Sequence, residues 1–169
     1  MVQTAVNQFQ TLGVPGEFAD DSPRRVAPYA VLANSSAQPT VGYAFTQGSH
    51  DNEAKVGGTG TYLGILVEPK QYANYSAGLA ASLEVKPGIA GEICSMGHVF
   101  VKSATSFAPN YVAAFATATG AISAYADASS IPGSGYVQIP NAKFIEVSGG
   151  ANTVGILELN PFPAQTAST

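Results

Sequence analysis

Apolar residues alternate with polar ones in short bursts along most of the chain. Five bursts are rich in β-branched and aromatic residues: TYLGILV (Thr61 to Val67), GHVFVK (Gly97 to Lys102), YVAAFAT (Tyr111 to Thr117), AKFIEVS (Ala142 to Ser148) and TVGILEL (Thr153 to Leu159). Each is bounded by Gly, Pro, Asn or Ser, which is the pattern of strands separated by turns. Weaker bursts are VAPYAVL, VGYAFT, ASLEV, GEICSM, GAISAYA and GYVQI. About ten short strands at spacings near ten residues predict an all-β chain, a single antiparallel β-sandwich or a jelly-roll-like or barrel domain. One segment reads as a short helix, KQYANYSAGLAAS, where Tyr72, Tyr75 and Leu79 are three and four apart after Pro69. Elsewhere alanine sits beside Gly, Thr and Ser, and helix is the poorer reading.

The two ends depart from this pattern. Residues 1–25 hold one compact apolar cluster, Leu12-Gly13-Val14-Pro15, in otherwise polar sequence. They also carry a Val-Pro-Gly turn and a second turn start at Asp20-Asp21-Ser22-Pro23, followed by Arg24 and Arg25, the only arginines. Such turn chemistry with so little core content predicts an extended N-terminal arm that docks on a neighbour. Residues 26–160 form the β domain, and 161–169 a short C-terminal tail without periodicity. Phe162, between Pro161 and Pro163, has no core of its own to fill and is an external anchor candidate.

Composition narrows the function. The 169 residues fit one domain. Seven Lys and Arg against eleven Asp and Glu give a net charge of −4, so no basic face is available for nucleic acid. Charged residues are 11% of the chain, against roughly 25% in ordinary soluble domains. No apolar stretch approaches the roughly 18 residues of a membrane helix, and the first ten residues lack a secretory signal. A single cysteine, Cys94, forbids an intrachain disulfide and fits synthesis in a reducing compartment.

Candidate chemistry is sparse. The Gly57 to Gly64 stretch mimics a phosphate loop, but it leads into an apolar strand and has no following lysine, so it reads as a flexible lead into a hairpin. His50, Asp51 and Glu53 lie in a polar loop with nothing to fix them as metal ligands. Cys94 and His98 are four apart across Gly97 and do not converge, so Cys94 reads as a small buried hydrophobe. No G-x-S-x-G elbow is present. The residues therefore predict no catalytic, cofactor or metal site.

Four segments taken in order, LGVPGEFADDSPRRVAPYAV, GILVEPKQYA, GEICSMGHVFV and IPNAKFIEVSGGANTVGILELN, resemble the structural cement, or head-decoration, proteins of tailed bacteriophages. The element from Gly16 through Asp20 to Arg25 is the most specific. The resemblance implies a non-enzymatic protein, made in the host bacterial cytoplasm, on the outer surface of a capsid built from a separate major capsid protein. It further implies bridging of neighbouring capsomers and stabilisation of the expanded head, as a homodimer, with a homotrimer as the alternative geometry. The residues then expected at capsid or subunit contacts are Leu12, Val14, Pro15, Asp20, Asp21, Arg24, Arg25 and Phe162. At least one arginine is expected to grip a carboxylate across a joint, a planar two-point contact that lysine cannot copy; the local alternative is a surface pair with Asp20 or Asp21. Rival readings are a carbohydrate- or receptor-binding module, a small hydrolase, or another minor virion protein. The absence of Trp weighs against a sugar platform.

Overall fold

A computed structural model describes residues 13–67 and 83–160. Nine strands run in the order β1 (Arg25–Leu32), β2 (Ala44–Gln47), β3 (Glu53–Val56), β4 (Tyr62–Val67), β5 (Ala90–Lys102), β6 (Val112–Ala116), β7 (Ile122–Tyr125), β8 (Tyr136–Ile145) and β9 (Val154–Leu159). Among the described residues the only helical piece is a single 3-10 turn at Ala128–Ser130, capped by Asp127. The expected helix over residues 70–82 lies outside the described residues.

The strands close two rings that share β5. The first runs β1-β3-β2-β4-β5 and returns to β1, because β5 pairs with both β4 and β1. The second runs from the C-terminal half of β5 through β9, β8 and β6 to β7. Ser103 then bridges Ile122, and Thr105 Oγ1 both accepts from Ala124 N and donates to Ala124 O at 2.8 Å, which covers the outer edge of β7. Among the described strands, covered edges leave no long backbone row to template aggregation.

Each ring has its own core. Val31, Phe45, Ala54, Val56, Leu66 and Ile93 pack in the first, from one face of all five strands. The alternate residues Ala44, Ile65, Val67 and Cys94 face outward and pack with Phe115, Ile122, Phe144 and Leu157 of the second sheet. Successive strand side chains point to opposite faces, so β4 is buried on both, which accounts for the unbroken apolar run Ile65-Leu66-Val67.

Several expectations change in detail. All ladders are antiparallel except β1–β3, which is parallel. GEICSM and GHVFVK are one thirteen-residue strand, with Gly97 kept inside it at φ 128°. GYVQI and AKFIEV likewise merge into β8, which carries Asn141 at φ 53° where its register against β6 slips. Strand β3 forms in a segment whose polar composition predicts a loop. Of ASLEV, Ala81 and Ser82 lie outside the described residues and the remainder belongs to no named strand, with Glu84 in an isolated bridge to Thr40. The connection from Gly57 to Thr61 does not close a hairpin, because β2 lies between β3 and β4.

Candidate functional site

The arm begins with a turn written in its sequence. Glu17 N donates to Val14 O at 3.1 Å, with Pro15 and Gly16 between them and Gly16 at φ 89°. Proline first and a positive-φ glycine second is the type II pattern. Gly16 is also needed for space, since a Cβ there would come within 2.0 Å of Val41 Cγ1.

Beyond the turn, the chain lies along the C-terminal half of β5. Gly16 N donates to Phe100 O, Phe100 N to Glu17 O and Ala19 N to His98 O, at 2.7–2.9 Å. Phe18 stands opposite Val99 in an antiparallel bridge and packs on the second core. The arm's described part is therefore seated on its own domain. Docking on a neighbour alone does not describe it.

Residues 20–24 loop out between this bridge and β1. Asp20 holds the loop: its Oδ1 accepts from Ser22 N at 2.9 Å and from Ser22 Oγ, while Oδ2 lies 2.5 Å from His98 Nδ1. An ionised carboxylate only accepts, so Nδ1 carries the proton in this contact. Ser22, and then His98, lower the Asp20 pKa to about 2. A carboxylate depressed on folding contributes stability above its unfolded pKa and loses it as pH falls through the folded one. Stability of the wild-type protein is therefore expected to decline from near pH 4 towards pH 2. Asp20→Asn is expected to flatten that part of a thermal-unfolding pH profile, and an unchanged profile would remove the latch role.

The arginines do not pair with Asp20. Arg24 places its guanidinium 4.4 Å above the Phe18 ring, a cation–π contact, and Arg25 Nε donates to Ser95 Oγ at 3.0 Å. Both side chains are exposed, as is Asp21. Val14 is 43% exposed, high for a large apolar residue, and Pro15 packs beside Gly42. Leu12 and Phe162 lie outside the described residues. Sequence reasoning missed Phe18 as the arm's own anchor and Ser95 and His98 as its partners; the alternation in GHVFVK put His98 opposite in face to Val99, but nothing in sequence linked it to Asp20.

The other constellations resolve structurally. Glu53 is turned onto the Ser49 and His50 amides, at 3.1 Å each, and onto His50 Nδ1 at 3.0 Å. Cys94 sits in the core with Sγ 3.1 Å from Met96 O, and burial pushes its thiol pKa up. No group of three or more His, Cys, Asp or Glu able to hold a metal occurs among the described residues.

Residues 2–160 match the family model described as structural cement protein (E217 gp24/Pam3 gp6). The chain belongs to the structural cement protein family. It is thus a structural component of a phage virion, associated with the capsid. No curated protein matches the cement protein in sequence. Among solved structures, a chain from "The capsid of Myoviridae Phage XM1" is similar to it with a TM-score of 0.61 and 18% identity, over 95% of this chain and 98% of that one. That likeness bears on the fold, and it extends to nearly the whole of both chains.

Proposed function

We propose that this cement protein binds the outer surface of a tailed-phage head, bridges neighbouring capsomers of the major capsid protein and stabilises the expanded shell. The observation that carries this reading is the loop at residues 20–24 together with Arg25, the first residue of β1. Asp20 ties the loop to Ser22 and His98, and Asp21, Arg24 and Arg25 are exposed. A contact ordered before binding avoids the entropy of immobilising long side chains, and an exposed guanidinium can take a carboxylate at two points. Val14 and Phe162 supply the apolar part. The protein acts as a homodimer, as at two-fold positions, with a homotrimer as the other geometry the experiment reads. It has no catalytic role; its effect is linkage, because a ligand of the assembled state alone stabilises that state by about 2.7 kcal/mol at a hundredfold excess over Kd.

The test is thermal release of packaged DNA from particles with and without the protein, at low and high salt, with a cryo-EM map for location and symmetry. Particles lacking it are expected to release DNA at lower temperature. Equal retention rejects the stabilising role. Detachment in moderate salt rejects the apolar part of the contact, since salt screens exposed charges within about 10 Å.

A further inference from the structure

The second ring has a sheet face that neither core uses. Val99, Phe144 and Leu157 point into the second core, so the residues alternating with them point outward. The registers of β5, β9 and β8 set these in cross-strand rows: His98–Glu158–Lys143, then Phe100–Ile156–Ile145, then Lys102–Val154. The middle row is wholly apolar and has charged side chains on both sides of it. None of its three members belongs to either core or to the side chains packed against them. Phe100 and Ile145 are half-buried, and Ile156 between them is only 6% exposed.

The chain enters the domain on this row. Gly13, the first described residue, lies so close to the Phe100 side chain that a Cβ there would fall on the ring. Residues 1–12 therefore start from the apolar row itself. Their sequence, MVQTAVNQFQTL, carries no charged side chain. Within it Val2, Val6, Phe9 and Leu12 recur at spacings of three and four, the spacing that gives a helical segment one apolar side. Such a segment suits an apolar strip with charged borders, because it asks for no ion partner.

Length and tether select the occupant. Neighbouring strands lie about 5 Å apart, so Ile156 and Ile145 are about 5 and 10 Å beyond Phe100. A helical chain advances about 1.5 Å per residue and an extended one about 3.3 Å, so residues 1–12 span the row in either form. Attachment at Gly13 gives the segment an effective concentration on the order of millimolar at the row. A second copy or a different protein must compete against that.

We propose that residues 1–12 dock on the Phe100–Ile156–Ile145 row of their own chain, with Phe9 and Leu12 as the anchors. The docked segment covers apolar surface that would otherwise promote self-association. The contact belongs to the free protein and stands whether or not the arm contacts a shell.

The experiment is nuclear Overhauser spectroscopy of the full-length protein with ¹³C-labelled isoleucine methyl groups. Contacts from the Ile145 and Ile156 methyls to Phe9 and Leu12 are expected. They should be missing from a spectrum filtered for intermolecular contacts in a mixture of labelled and unlabelled protein. Phe9→Gln is expected to weaken these contacts and to raise the fluorescence of added anilinonaphthalene sulfonate severalfold, while Phe9→Leu stays near wild type. An absence of contacts between either isoleucine and residues 1–12 overturns the proposal without any variant. Contacts found only in the filtered spectrum overturn it too, and assign the row to the same segment of a second copy. Dye fluorescence of Phe9→Gln equal to that of wild type would remove Phe9 as an anchor and reject the docking as stated.

Discussion

Removing residues 1–24 is expected to destabilise the domain as well as to abolish particle binding. The described arm is part of the sheet: it pairs with His98 and Phe100, and Phe18 packs on the second core. Its loss uncovers a strand edge on β5, which invites pairing between molecules, so the truncated protein should also aggregate on heating. Phe18→Ala gives the lower bound. Complete Phe→Ala burial losses are about 3–5 kcal/mol; a half-buried ring should cost about 2 kcal/mol, or about 4–8 °C in Tm for a domain this size. Differential scanning calorimetry of Phe18→Ala and of the truncation checks both. A truncation that melts with the wild-type protein would show that the arm contributes nothing to the fold, and a Phe18→Ala protein that still decorates shells would separate anchoring from binding.

Much of this architecture was legible because short β-rich bursts between turn residues declare strands. Tyr111 to Thr117 and Thr153 to Leu159 are such bursts, and β6 and β9 fall within one residue of them, each burying three consecutive residues at its centre. The losses have physical causes. Gly97 looks like a boundary in sequence, but it lies within β5 and brings its backbone close to Arg24, whose Cβ would lie 3.1 Å from an added Cβ. Strand β3 has only four residues, and its inward pair Ala54 and Val56 hides in a polar segment. The parallel pairing of β1 with β3 depends on ring closure, which no local pattern encodes. At the arm, the turns at Pro15-Gly16 and at Asp20 were readable from residue chemistry. Their partners were not, because Asp20 and His98 are 78 positions apart and the burial of Phe18 depends on a sheet assembled from both rings.

Gly64→Ala is expected to be the most damaging single methyl group that can be added to β4. The residue lies where β2 and β5 flank β4, opposite Phe45 and one position before the Ile65–Cys94 pair. A Cβ there would come within 2.2 Å of Cys94 O and 2.7 Å of Ile93 Cγ2. The first obstacle is backbone, so no side-chain rotation relieves it; β4 and β5 must separate. That separation reaches both cores, because Leu66 and Ile93 belong to one, while Ile65 and Cys94 belong to the other. Overpacking in a formed core commonly costs about 1–3 kcal/mol, and the backbone clash places this substitution at the upper end or beyond, an expected fall of about 6–12 °C in Tm at roughly 2–4 °C per kcal/mol. Gly133→Ala is the control: nothing lies within 4 Å of its added Cβ, and such a surface change should stay within about 0.5 kcal/mol. Thermal melts of the two variants beside wild type test the shared-strand architecture directly. If Gly64→Ala melted like Gly133→Ala, β4 and β5 could not approach as closely as two cores sharing them require.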